Sequence, residues 1–361
     1  MSRATDGWAP AIVADRILAG EPGALPSAGL HAYLAGEVDV WELIAAAGRI
    51  RAARFGNRVH LCSIVNAKEG GCPEDCGFCA QSKHYDTHVK PAKFTPIEEI
   101  VRHSRVAGTR HASALGLVTA TRGLDDDGFG LDHMARGIAA VRDAGHTEAH
   151  ASVGFLTEPA MDRLIAAGLT ELNHNLETGR DYFGKIVTTH SYDERIATVR
   201  MAKAKGLRTC CGGIFGMGEQ IADRVDLAVN LRELDVDEVP INFLVGIEGT
   251  PLAQAEPLAP MEMLRIIAAY RMFLPRQNIF IAAGRTHLGQ LLPMMFAAGA
   301  SGMMVGDFLT TANRSVDDDL RMIDELGLVP MSCGTERPEL AARPVDTVAA
   351  RTAAKRLPVV A

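Results

Sequence analysis

From residue 59 onward the chain alternates short β-branched and apolar runs with segments whose apolar positions recur at i, i+3 and i+4. The runs predict strands at 59–66, 113–120, 148–155, 169–177, 208–215, 238–245, 278–283 and 302–306. The periodic segments between them, 97–106, 134–141, 195–204, 224–234, 261–273 and 288–298, predict amphipathic helices. Repeated strand–helix units imply parallel strands joined by right-handed crossovers. Eight such rounds close an α/β fold of the (β/α)8 TIM-barrel type, with an open doubly wound sheet as the alternative. Residues 1–58 read as an N-terminal helical extension, in which the amphipathic stretch 38–54 is expected to pack on the lower end or side of the barrel. The barrel is assigned to 59–330. Residues 331–361, rich in Ala, Arg and Pro without an apolar period, are expected to form a flexible C-terminal tail.

At 47% hydrophobic and 22% charged residues, the 361-residue chain has enough apolar side chains for a packed core. The net charge of −7 and the lack of a basic stripe with interleaved aromatics argue against a nucleic-acid partner. The most apolar stretch, 294–305, is too short to span a bilayer and is interrupted by Gly299 and Gly302, so no membrane association is expected. Residues 1–20 have no basic segment followed by an apolar core, which predicts a cytoplasmic protein. Seven cysteines, three of them within eight residues, then point to metal or redox chemistry rather than disulfides.

Those three, Cys72, Cys76 and Cys79, form a C-x3-C-x2-C run flanked by Gly70, Gly71 and Gly77. The spacing lets one compact loop wrap its thiolates around an inorganic cluster, and the glycines allow close backbone approach. Three ligands would leave one iron of a [4Fe-4S] cluster open to a small molecule. A fourth ligand from His84 or His88 would instead complete a structural zinc site. The loop follows the first predicted strand, at the barrel face where such folds carry their sites. On the fourth strand Asn173, Asn175 and Glu177 alternate with apolar or bulky neighbours, and a period of two puts all three on one face, the barrel interior near its top. Asn242 shares a face with Pro240 and Leu244 in the same way. As a phosphate cradle the glycine-rich segment 212–218 is weak, and His111, His133, His146 and His190 suggest no specific role.

The phrase running from Asn66 through Gly70-Gly71-Cys72-Pro73-Glu74-Asp75-Cys76-Gly77-Phe78-Cys79 to Ser82 resembles the radical S-adenosylmethionine (SAM) enzymes, and the biotin synthase family in particular. The likeness continues at 173–178, 211–219, 239–244, 249–252 and 283–285, and so spans roughly 38–330. It implies that the open iron binds the amino and carboxylate groups of SAM. Reductive cleavage then gives a 5′-deoxyadenosyl radical that takes hydrogen from dethiobiotin. It further implies that Asn173, Asn175 and Glu177 contact the SAM ribose and the ureido ring of the substrate, and that Phe78 lies near the adenine. Gly213 and Gly216 would approach the methionyl end of SAM, and Asn242 would touch the substrate. The expected partners are a small-molecule substrate, an external electron donor of the flavodoxin or ferredoxin type, and a second copy in a homodimer.

One part of the family pattern is incomplete. Typical members hold an auxiliary [2Fe-2S] cluster on three cysteines and an arginine. Here Cys210 matches one cysteine and Arg285, placed on strand seven, is taken as the arginine; His150 stands at a second cysteine position and strand two offers no cysteine. Cys211 points away from Cys210, and Cys62 could substitute only if it faces inward. A single [4Fe-4S] cluster is therefore expected, with Arg285 and His150 lining a substrate pocket. Three readings follow: a biotin synthase with an altered or absent auxiliary cluster, a related radical SAM enzyme acting on another small molecule without sulfur insertion, and a plain electron carrier or structural metal module.

Overall fold

Strands β1 (Arg58–Lys68), β2 (Ala114–Thr119), β3 (Glu148–Ser152) and β4 (Glu171–Asn173) pair in sequence, all parallel. The fifth position is split into β5 (Arg208–Cys210) and β6 (Gly213–Phe215), which both pair with β7 (Glu238–Phe243). At the break, a Cβ on Gly212 would stand 2.1 Å from the Pro240 carbonyl oxygen, so only glycine lets β7 approach. Strands β8 (Asn278–Ile281) and β9 (Gly302–Met304) follow, and β9 returns to β1 through His60/Gly302, Leu61/Met303 and Cys62/Met304. This closes the predicted eight-position barrel. A short β10 (Val329–Pro330) adds to β1 at Arg58 and Val59. The computed structural model describes residues 6–306, 308–311 and 313–331.

Strand parity decides what each residue meets. Leu61, Ala149, Ala151, Ile279 and Ile281 face outward into the main apolar core, while Cys62, Phe280 and Ala282 face the barrel interior. The outward core lies against α4 (Ile97–Thr109), α5 (Phe129–Ala144), α6 (Glu158–Ala167), α7 (Arg180–Ile186), α8 (Tyr192–Ala204), α9 (Ile221–Glu233) and α10 (Pro260–Phe273). The segment expected as one helix at 288–298 is instead a 3-10 turn, Arg285–Leu291, and a four-residue helix, Met294–Ala297. Gly289 at φ +53° and Pro293 break the run.

The N-terminal extension forms three helices, Pro10–Leu18, Ser27–Ala35 and Val40–Phe55. The third starts at Asp39, whose side chain accepts from the Trp41 and Glu42 backbone N–H groups. It packs against α10, and its buried Arg51 donates to the carbonyls of Ala300, Gly56 and Arg58, tying it to the N-terminal end of the barrel. The expected packing on the lower end of the barrel is thus found. Of the expected tail, only Met331 is described; its N–H donates to Val59 and its side chain is buried. Residues 332–361, with Cys333, lie outside the described residues. Among the described residues no helix is long and apolar enough to cross a membrane.

Arg285 is not where the sequence suggested. It lies beyond the end of β8, at the start of the 3-10 turn that follows Gly284 at φ +75°, and does not line the interior. Its guanidinium is fully buried and forms a two-pronged pair with Asp319 of a helix at Val316–Glu325, one contact being Nη1 to Oδ1 at 3.0 Å.

Candidate active site

The loop after β1 folds back on itself, with Cys72 N–H donating to Gln81 and Lys83 N–H donating to Cys72. Gly70 takes φ +65°, and a Cβ there would meet the Lys90 carbonyl oxygen at 2.7 Å, so the turn requires glycine. Cys72, Cys76 and Cys79 are all free thiols, and all three line one cavity of about 440 Å³ at the C-terminal end of the strands. Burial pushes Cys79 up to about 11 and raises Cys72 and Cys76 as well. Three thiols converging on one cavity suit a bound metal centre, which deprotonates them outright. The zinc alternative lacks its fourth ligand there, since neither His84 nor His88 lines the cavity on which the three thiols converge.

The acidic pair inside the cysteine loop anchors it to the 188–190 segment. Glu74, buried, accepts from Thr189 Oγ1 at 2.6 Å and Arg122 Nη1 at 3.1 Å and bonds His190 Nδ1. On its other side His190 Nε2 accepts from Arg195 Nε at 3.0 Å, and Arg195 Nη1 donates to the Asn175 carbonyl at 2.7 Å. This relay connects the cysteine loop to the polar wall opposite, a role for His190 that no local pattern in the chain indicates. Asp75 accepts from the Thr188 and Thr189 N–H groups at 2.9 and 3.2 Å. Burial pushes its carboxyl up, but these bonds and those of both hydroxyls outweigh that and hold the pKa at about 2. Because the folded value lies below the unfolded one of about 3.9, the stabilisation is complete above the unfolded pKa and is lost as the pH falls toward 2. Asp75→Asn is therefore expected to lower the melting temperature at pH 6–7 and to match the parent at the acid end. A difference that persists unchanged at low pH would contradict this.

Asn173, Asn175 and Glu177 all line the cavity, as their alternation predicted. The strand itself ends at Asn173, however, and Glu177 sits at φ +71°, so His174 joins the lining too. Asn175 Oδ1 accepts from Gly212 N–H at 3.1 Å. Three other buried atoms of this wall, Asn173 Oδ1, His174 Nε2 and Glu177 Oε2, find no hydrogen-bond partner among the described residues. Leaving such atoms unmatched costs about 1–3 kcal/mol each, which is the signature of a surface shaped for a polar ligand. Phe78 lines the same cavity from the loop. Asn242 lines it as well, but spends its amide on the barrel, donating to Gly213 O at 3.2 Å and accepting from Ala283 N–H at 3.1 Å. Gly213 and Gly216 do not line the cavity. A Cβ on Gly213 would lie 2.5 Å from the Glu177 carbonyl oxygen, and the Gly216 N–H is taken by Glu219, so these glycines serve close backbone packing.

Residues 70–231 match the Radical SAM superfamily, and residues 240–329 match the Biotin and Thiamin Synthesis associated domain. A biotin synthase of Trichlorobacter lovleyi is 48% identical over 288 residues, covering 80% of this chain and 86% of that protein. The chain belongs to the biotin synthase family. A second biotin synthase, from Syntrophotalea carbinolica, is 45% identical over 89% of this chain and 98% of its own length. Among solved structures, a methylornithine synthase superposes with a TM-score of 0.74 at 20% identity, covering 88% of this chain and 97% of that one. A maturase of [FeFe]-hydrogenase gives 0.76 at 14%, covering 91% and 76%. At such identities these two attest the barrel alone. This is a biotin-synthase-like radical SAM enzyme, and membership of the superfamily implies a [4Fe-4S] cluster, SAM, a small-molecule substrate and an electron donor.

Below the cavity, the floor of this family member has an apolar and a polar half, and Cys62 stands at their boundary. Cys62, which does face inward, packs with Ala114, Phe280, Ala282 and Met304, while its thiol lies beside His150 and within electrostatic reach of Cys210. On β8 the inward side chains are Phe280 and Ala282 rather than Arg285, and among the described residues no arginine joins the two thiols there. The polar half holds Cys210 between Glu171 and Glu238. His150 is also here, beneath the cavity rather than lining it, with Nδ1 3.0 Å from Glu171. Cys62 and Cys210 are two thiols where typical members of the family supply three cysteines and an arginine. Glu171 and Glu238 were missed in the sequence although the signal was present: each occupies the inward parity already assigned to Asn173 and to Asn242.

Proposed function

We propose that this protein inserts sulfur into dethiobiotin to form biotin, with one [4Fe-4S] cluster held by Cys72, Cys76 and Cys79. The reading rests on a single observation: the three loop thiols and the unpartnered polar atoms of Asn173, His174 and Glu177 meet in one cavity. When bound, the cluster and SAM together supply a carbon radical able to take hydrogen from an unactivated C–H bond. The protein's part is to place and shield. Asn173 and Glu177 present acceptors that fit the ribose hydroxyls and the N–H groups of a ureido ring, and Phe78 offers an apolar face for the adenine. Arg195 holds the cysteine loop and the Asn175 backbone in fixed relation through His190 and Glu74. The closed wall of strands and helices excludes water and restricts which substrate carbon is reached. The electron comes from an external flavodoxin- or ferredoxin-type donor, and the sulfur from a source other than a typical two-iron cluster.

Anaerobic incubation of the reconstituted enzyme with SAM and reductant, with and without dethiobiotin, tests this by mass analysis. Biotin and substrate-dependent 5′-deoxyadenosine are expected. Unchanged dethiobiotin beside continued SAM cleavage would transfer the assignment to another small molecule. Asn173→Ala removes one matched acceptor, and is expected to lower kcat/KM for dethiobiotin about 10-fold or more. An Asn173→Ala enzyme with unchanged kcat/KM would remove Asn173 from the pocket.

A further inference from the structure

We infer that the polar half of the barrel floor is a mononuclear site for a divalent cation of the zinc or ferrous class, held by Glu171, Cys210 and Glu238. One ligand atom from each of the three lies within 4.8 Å of the others. All three residues are buried, at 0%, 4% and 3% exposure, and all three line the cavity, so a bound ion would keep an open side toward it. They are not distant in sequence terms by accident of a surface: they come from the neighbouring strands β4, β5 and β7, with Asn173 opposite Cys210 and Cys210 opposite Glu238 in the ladder.

The Cys210 thiol supplies a second, independent observation. It is in no disulfide and makes no side-chain hydrogen bond among the described residues, yet it is more than nine-tenths buried and set beside two carboxylates. A thiolate there would be costly without a cation. The carboxylates are backed by other side chains: His150 Nδ1 lies 3.0 Å from Glu171, His60 Nδ1 3.1 Å from Glu238, and Asn278 Nδ2 donates to Glu238 at 3.0 Å. Charge supports the same conclusion. Glu148, Glu171 and Glu238 place three carboxylates at this level against one arginine, Arg208, which pairs with Glu148 and Glu171. Counting the Cys210 thiolate, three negative charges are left over, and a divalent ion offsets two of them. One sulfur and two oxygen donors select zinc or iron over magnesium or calcium, which avoid thiolates. The set departs from a two-iron cluster, which needs four terminal ligands and bridging sulfides.

The test is independent of the proposed substrate. The full-length protein with Cys72, Cys76 and Cys79 changed to Ala keeps the floor intact and is titrated anaerobically with Co2+. One Co2+ per chain with a thiolate-to-cobalt charge-transfer band is expected, and the near-isosteric Cys210→Ser in that background should abolish the band while circular dichroism stays unchanged. His60→Phe should weaken Co2+ binding about 10- to 100-fold through Glu238. Metal analysis of the holoenzyme should show one divalent ion beyond the irons that match acid-labile sulfide. A folded protein without the band, or a band that survives Cys210→Ser, overturns the site and leaves the floor to protonated His60 and His150. Two extra irons with two extra sulfides, lost on Cys210→Ser, overturn it in favour of a cluster.

Discussion

Changing Cys72, Cys76 or Cys79 singly to Ala is expected to reduce 5′-deoxyadenosine formation to the level of a cluster-free control. The three thiols belong to one loop whose backbone is closed by Cys72–Gln81, Lys83–Cys72 and Cys79–Cys76 hydrogen bonds. The loop therefore has no spare thiol to move into place. His84 and His88, the nearest imidazoles in the sequence, do not line the cavity. Iron analysis and product assay on the same preparations check the expectation, and retained SAM cleavage in any of the three variants would overturn the assignment of that cysteine. Cys211→Ala is the control: it lies in the outward core, away from the cavity, and should leave cleavage intact.

Asp319→Ala is expected to destabilise the protein by about 3–5 kcal/mol, because it leaves the Arg285 guanidinium buried without its carboxylate. Both side chains are fully buried, and the pair holds the helix at Val316–Glu325 against the turn that follows β8. Replacing both members with apolar residues, as in Arg285→Met with Asp319→Leu, should recover much of the loss, since a buried pair is worth little more than well-packed apolar volume. Urea unfolding of the single and double variants measures this. Full stability in Asp319→Ala would mean that the pair is not structural, and would reopen a ligand-binding role for Arg285.

Much of the barrel was legible in the chain because its signals are local. A period of two over four to eight residues identifies a strand, and alternate positions within it share a face whatever the rest of the molecule does. Asn173, Asn175 and Glu177 were placed together on that basis and do share the cavity, even though the pleat stops at Asn173. Arg285 went astray because β8 ends at Ile281 and Gly284 at φ +75° turns the chain, so alternation along the strand no longer decides where Arg285 lies. The helix expected at 288–298 failed because an apolar period says nothing of the φ that Gly289 adopts.

The eight-fold alternation and the cysteine loop are legible in the chain alone, since both depend on spacings of a few residues. Folding was needed to bring Glu74 to His190 across 116 positions, Arg285 to Asp319, and Glu171, Cys210 and Glu238 of β4, β5 and β7 within reach of one another. These are contacts between elements, set by strand register and barrel closure. A carboxylate's chemistry changes entirely with whether closure leaves it in water or seals it beside a thiol and an imidazole.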